Sequence, residues 1–434
     1  MPGRLTRGVG LACIAWFSAF ATALAQPSPP ATPYGASLYR NGDSGSGYHP
    51  FRPVLPDASR TVATLQQLVS TQEAGGGPYS PELLATLSEL GAAHFGRGDY
   101  HDAGVSWGRA IHLLRINEGL DSPSQITLLQ QAGEASLADG RIYEADAQHR
   151  QVYRLARKHF DPGEPQMQEA AARYADWLRS AYLADIDRER YPRLVALFDL
   201  FDELSAAIDT TQGPESRAHL PYLHGRLVAA YLLSVYPGET QGGAPDAAAT
   251  GEGKLDLIRF LELKRDAFRE GERTARRIQA ILAADAQSGP RERAEASVAI
   301  ADWYQWHRRY AQSLPLYREA WALAGEDGTA WRETVFGEPV ELPAGVVFQP
   351  GSLRSATDED IVLALRLDVS RQGRVESIAW SGGTTPPEPA LESHVRGLFS
   401  DLRMRPRLAS GEAVERRGLE RQYRMRHRNG AGQP

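Results

Sequence analysis

The chain has 434 residues and a formal net charge of −6, which argues against a nucleic-acid binder and leaves room for two or three domains. Only Lys158, Lys254 and Lys264 among its 48 basic residues are lysines, a bias spread along the whole chain and so not a local patch. Its single cysteine, Cys13, lies in an amino-terminal segment expected to be removed. The mature chain would then hold no disulfide, no thiol nucleophile and no cysteine-ligated metal, and would suit an oxidising compartment.

The amino end begins with Arg4 and Arg7, continues through a mostly apolar Gly8–Ala21 and closes on Ala23-Leu24-Ala25 before Gln26. A positive start, a short apolar run and small residues at the end are the three parts of a secretory signal, with cleavage expected between Ala25 and Gln26. The apolar run is short for an uncleaved anchor, and Gly10-Leu11-Ala12 before Cys13 lacks the apolar residue that lipid attachment needs. Residues 26–57 are rich in Pro, Gly and Ser without periodicity and read as a flexible linker. Within it, Gly42-Asp43-Ser44-Gly45-Ser46-Gly47 resembles the serine motif of chymotrypsin-like proteases, but a catalytic serine needs a base on a packed scaffold, and none precedes it.

A lead-in helix is expected over Ala58–Gln72, ended by Gly75-Gly76-Gly77-Pro78. Glu82–Arg115 then reads as two amphipathic helices around a Gly-Asp-Tyr turn. A shift of 42 positions lays Gly98 on Gly140, Ala103 on Ala145, Ala110 on Val152, Leu113 on Leu155 and Arg115 on Arg157. Such a period marks stacked helix pairs, none of which buries its apolar face alone. A third pair is expected over Met167–Leu183 and Pro192–Ile208, and a fourth over Ser216–Tyr236 and Leu255–Ala284, with a loop at Pro237–Gly253. A fifth, Ala294–His307 and Tyr310–Leu323, returns to the pattern at a shift of 210. Leu87, Gly91, Tyr100, Ala103, Trp107 and Ala110 resemble the tetratricopeptide repeat, which implies a concave surface for peptides or protein segments. Trp303, Trp306, Trp321 and Trp331 are read first as core packing.

After Trp331 the pattern changes. Ile361–Val369 alternates as a strand, Ser370-Arg371-Gln372-Gly373 turns with Gly373 at positive φ, and Val375–Ser381 returns. An amphipathic helix is expected over Pro386–Met404, ended by Arg405-Pro406, and a last strand over Val414–Met425. Leu367, Asp368, Gly373, Val375, Leu391, Pro406, Gly411 and Val414 resemble the carboxyl-terminal domain of the TonB family over Glu359–Arg426. That resemblance implies a periplasmic module that pairs by strand addition with a short segment of an outer-membrane transporter, and names Val414, Arg416, Arg421 and Arg424 as a candidate protein-binding strand edge. The Tyr-Pro element of that family is missing; Gln349-Pro350 stands nearest. The basic residues of this region suit either an acidic partner or a solvated edge guarded by charge.

No histidine pair shows zinc-site spacing, and there is no phosphate loop or dinucleotide fingerprint; no catalytic, cofactor or metal residue is named. The expected fold class is mostly α, a tetratricopeptide-like helix-pair solenoid followed by a small α+β TonB-like domain. Its divisions are 1–25 signal peptide, 26–57 linker, 58–330 helical array, 331–427 module and 428–434 tail. The expected function is that of a non-enzymatic periplasmic protein-interaction protein with protein or peptide partners in the cell envelope. Alternatives are a component or regulator of TonB-dependent transport, whose partner is an outer-membrane receptor, and a cryptic envelope enzyme.

Overall fold

The computed structural model describes residues 38–40, 51, 61–184, 190–236, 251–325, 328–344, 347–348, 361–381, 389–400 and 402–425. The expected cleavage point at Ala25 and Gln26, the Gly42–Gly47 motif, residues 237–250 of the expected loop and Gln349-Pro350 lie outside the described residues. The chain is mostly helical, with a small antiparallel sheet region at its carboxyl end. It divides into two compact units, Tyr48–Trp177 and Leu178–Pro434 with Met1–Gly47.

In the unit Tyr48–Trp177 the helices are α1 (Val62–Gly76), α2 (Leu83–Arg97), α3 (Tyr100–Glu118), α4 (Gln125–Ala138), α5 (Ile142–His159) and the first part of α6 (Pro165–Ala184). From α1 to α5 each packs on the next. The Thr61 hydroxyl caps α1 by accepting the Thr64 N–H at 3.2 Å. The 42-residue shift has a backbone cause. After α2, Gly98 sits at φ +81, its N–H donating to the Phe95 carbonyl while the Asp99 N–H reaches the His94 carbonyl. After α4, Gly140 at φ +76 and Arg141 repeat both bonds onto Leu137 and Ser136. This is a left-handed helix cap that glycine adopts without strain. Trp107 of α3 is fully buried, donates its indole N–H to the Ser88 carbonyl at 3.1 Å and fills the notch left by Gly91. A Cβ on Gly91 would lie 2.5 Å from the indole nitrogen, so the small residue is required.

The other unit holds α7 (Arg190–Thr211), a 3-10 turn (Arg217–His219), α8 (Leu220–Ser234), α9 (Gly251–Ala284), α10 (Pro290–Trp306), α11 (Tyr310–Leu323) and α12 (Thr329–Phe336). The cap at the end of α10 reproduces the turn after α2 at the 210 shift: Arg308 donates to Gln305 O and Arg309 to Tyr304 O. Here the left-handed residue is Arg308, at φ 59, a conformation costing a non-glycine residue about 1 kcal/mol. Trp303 repeats the device of Trp107, donating to the Phe268 carbonyl at 3.1 Å and filling a notch at Gly271, where a Cβ would lie 2.2 Å away. Trp306 and Trp331 are also buried, bonded through their indoles to Ser234 Oγ and Glu295 Oε1.

His307 lies edge-on to Phe268 and Trp303, with ring centroids 5.0 and 4.5 Å away. Burial, then the Arg403 and Arg309 cations, push its imidazole from 6.5 down to about 4. The folded chain therefore holds fewer protons than the unfolded chain between those values, and stability falls as the pH drops from about 6.5 to about 4. The loss attributable to this group is about 2 kcal/mol. Denaturant unfolding at pH 7 and pH 4.5 checks it: His307→Phe should narrow the gap between the two by about that amount.

The carboxyl region comprises β2 (Val340–Glu341), β3 (Ile361–Val369), β4 (Val375–Trp380), α13 (Pro389–Ser400), β5 (Met404–Arg405), β6 (Arg407–Ala409), β7 (Glu412–Val414) and β8 (Arg416–Met425). A further strand, β1 (Leu38–Arg40), comes from the segment read as a linker and completes a four-stranded sheet of order β1-β8-β3-β4, all pairs antiparallel. Leu363, Leu365 and Leu367 of β3 pack with Val395 and Phe399 of α13 and Leu419 and Tyr423 of β8. Gly373 at φ +71 turns the β3–β4 hairpin.

Two expectations are corrected. The helix expected to run to Met404 ends at Ser400, because Met404–Arg405 pairs with Val340–Glu341 and the Met404 N–H donates to the Gly373 carbonyl at 2.9 Å. Those bonds satisfy the backbone in extended form despite the apolar spacing. Val414 belongs not to the last strand but to a separate hairpin, opposite Arg407, closed by Ser410 and Gly411 at φ 50 and 83. The division between the two compact units falls inside α6, between Trp177 and Leu178. Leu408 and Ala413 share a core with Tyr317, Ala320, Trp331 and Phe336, which binds the sheet region to α11 and α12.

Candidate binding sites

The strand edge named from sequence is not a single patch. Val414 faces Arg407 in the β6–β7 hairpin. Arg416 opens β8 opposite Val369, with its Nε 2.9 Å from Glu338 Oε2. Arg421 stands opposite Leu365, 16% exposed, with Nε 3.3 Å from Glu341 Oε1 and Nη2 donating to the Pro339 carbonyl. Arg424 lies in register with both Val362 and Tyr39. The basic strand is thus partly neutralised by carboxylates of its own chain. Arg366 of β3 adds a cross-strand pair to Glu420 at 2.9 Å. Sequence reading found the cations but not Glu338 and Glu341, which lie about 80 positions away.

One side of β8 is paired with β3 along its length. On the other side β1 pairs only with Tyr423–Met425, Leu38 opposite Met425 and Arg40 opposite Tyr423. Among the described residues no strand lies beside Arg416–Arg421 on that side. A strand edge of this kind presents backbone donors and acceptors to an extended chain.

Arg405, expected to help end a helix, is the most buried cation of the region. Its Nε and Nη2 donate to both Asp302 oxygens at 2.9 and 2.7 Å, and its Nη1 donates to the Val335 carbonyl at 3.1 Å. The Tyr317 hydroxyl donates to Asp302 Oδ1 at 2.8 Å, and burial, with Asp302 beside it, holds that phenol well above its ordinary pKa. The two charged side chains are 2% and 5% exposed, so this cluster fastens the sheet to α10 and offers nothing to a ligand.

A Ser-His-Asp chain also forms in this unit. Ser205 Oγ lies 3.1 Å from His219 Nδ1, and Asp209 Oδ1 lies 3.1 Å from Nε2. Nε2 is further shared with the Gly213 carbonyl and Arg277, and burial lowers the imidazole pKa. Ser205 and His219 are 6% and 0% exposed. A nucleophile must be reached by its substrate; these groups are enclosed, and the chain braces α7 against the 3-10 turn.

The unit Tyr48–Trp177 has a small cleft formed by α4, α5 and α6 together with Phe51, which lines it beside Gln130, Glu134, His149, Val152, Ala170, Arg173 and Tyr174. Phe51 is seated at it. Its backbone N–H donates to Glu134 Oε1 at 2.8 Å, and the Arg173 guanidinium carbon stands 5.8 Å from its ring centroid. Glu134 is 5% exposed. His149 stacks on Trp177 at 4.4 Å and Tyr153 on Tyr174 at 5.3 Å, which makes the walls aromatic and close-packed. Neither Phe51 nor Glu134 stood out in the sequence: one lies in the segment read as a linker, the other on an amphipathic helix where solvation would explain it.

No protein-family model matches the chain, and no curated protein matches it.

Proposed function

We propose that this is a non-enzymatic periplasmic protein-interaction protein, with a tetratricopeptide-like array and a TonB-like module that bind proteins or peptides of the cell envelope. The observation that carries the reading is the pairing of Leu38–Arg40 with Tyr423–Met425: the outer side of β8 accepts an extended segment in antiparallel register, the mode by which strand addition recognises peptides. The adjoining Arg416–Arg421 stretch extends the same edge. A periplasmic location is supported by the positive, apolar and small-residue succession from Arg4 to Ala25 and by the absence of cysteine after Cys13. Participation in TonB-dependent transport is the second reading, supported by the residues of the module that resemble that family.

Photo-crosslinking in cells tests the proposal. A photoreactive residue replaces Arg417, whose side chain is 77% exposed on β8. The expected result is capture of a discrete set of envelope proteins through an extended segment, identified by mass spectrometry, that is reduced at least tenfold when the probe sits instead at exposed Tyr143 of α5. Capture of an outer-membrane receptor would favour the transport reading. Capture no greater from β8 than from Tyr143 would sink the strand-edge reading.

A further inference from the structure

We infer that the cleft between α4, α5 and α6 is a recognition site for an extended peptide carrying an aromatic residue, and that Phe51 of the same chain is its resident occupant. The inference rests on the interaction reading of the helical array but not on the β8 edge. Three features define the ligand chemistry. The Glu134 carboxylate accepts a main-chain N–H from a residue 83 positions away, a bond any non-proline residue of an extended segment can make. A carboxylate that is 5% exposed has left water and needs donors to remain there; a peptide backbone supplies one. The Arg173 guanidinium beside the Phe51 ring, with Tyr174 and Val152 in the lining, favours an aromatic side chain over an aliphatic one. The backbone bond is indifferent to sequence and the ring seat is selective, a division of labour common in peptide recognition.

Among the described residues, Phe51 donates one charge-assisted hydrogen bond to Glu134 and forms part of the cleft wall beside Arg173. Because the occupant is tethered, its effective concentration is on the order of millimolar, so a competitor in trans meets an occupied site in the wild-type chain and an open one when the ring is removed.

The test uses the full chain and a fluorescent peptide of residues 47–53, Gly-Tyr-His-Pro-Phe-Arg-Pro, read by anisotropy. Phe51→Ala should bind this peptide at least tenfold more tightly than the wild type does. A peptide with alanine in place of its Phe should lose that binding, and Glu134→Gln added to Phe51→Ala should weaken it about tenfold. Circular dichroism melts accompany each variant, so a folded chain is compared throughout. If folded Phe51→Ala gains no binding, or binds both peptides equally, Phe51 is a packing residue and the inference fails. Crosslinking from β8 is read independently, so failure here leaves the strand-edge reading untouched.

Discussion

Asp302→Asn should lower the melting temperature by roughly 10 °C. The asparagine keeps the volume and an acceptor for Tyr317 but leaves the Arg405 guanidinium buried without its counter-charge. Both Asp302 oxygens are engaged by Arg405 at 2.7–2.9 Å, and neither side chain is more than 5% exposed. Removing one partner of such a pair costs about 3–5 kcal/mol, mostly the penalty of an uncompensated buried charge. For a unit of this size each kcal/mol moves the midpoint by about 2–4 °C. The pair itself is not strongly stabilising relative to an apolar filling, and a double substitution separates the two statements. Asp302→Leu with Arg405→Met should recover most of the loss, giving a coupling of about 2 kcal/mol or more in a double-mutant cycle. A single substitution that melts within 2 °C of wild type would show that water already reaches the pair.

Gly373→Ala should cost about 3 kcal/mol or more, for two reasons that add. The residue sits at φ +71, where an L side chain is strained by about 1 kcal/mol. A Cβ there would also lie 1.9 Å from the Met404 carbonyl oxygen and 2.6 Å from Gln305 Nε2. The first neighbour is backbone already accepting from Gln305 at 2.8 Å, so it cannot yield without disturbing the junction of sheet and helices. Gly98→Ala is the control: it lies in the left-handed region at φ +81, ψ 8, but nothing lies within 4 Å of its Cβ, so it should cost only the strain of about 1 kcal/mol. Chemical denaturation of both variants, read by far-ultraviolet circular dichroism, gives the difference. Equal losses would show that the turn moves aside and that contact with Met404 is not the limiting constraint.

The helical part was legible because its signals are local. Apolar spacing of 3 and 4 residues sets which face is buried, and Gly98 and Gly140 mark where the chain must turn left-handed. At Arg308 the same turn is made without glycine, yet the flanking pattern of Tyr310, Tyr317 and Ala320 still gave the element away. The strands Ile361–Val369 and Val375–Trp380 were legible for the same reason: alternation and a glycine turn are short-range. What failed was decided over distance. Leu402–Arg405 has helical spacing and lies extended, because Val340–Glu341 and Gly373 supply its backbone partners. Leu38–Arg40 is too short to read as a strand without Tyr423–Met425 beside it. The arginines of the candidate edge suited either an acidic partner or a solvated edge; the carboxylates that Arg416 and Arg421 meet, Glu338 and Glu341, are remote in sequence and could not be read from it.

The attachment of the sheet to α10–α12 has a mechanical consequence. Leu408 and Ala413 sit among Tyr317, Trp331 and Phe336, and Arg405 is bolted to Asp302. Tension applied along β8 acts in shear against the whole ladder it shares with β3, whose hydrogen bonds must be loaded together rather than unzipped one by one. Under such a pull β8 and β3 resist as one ladder.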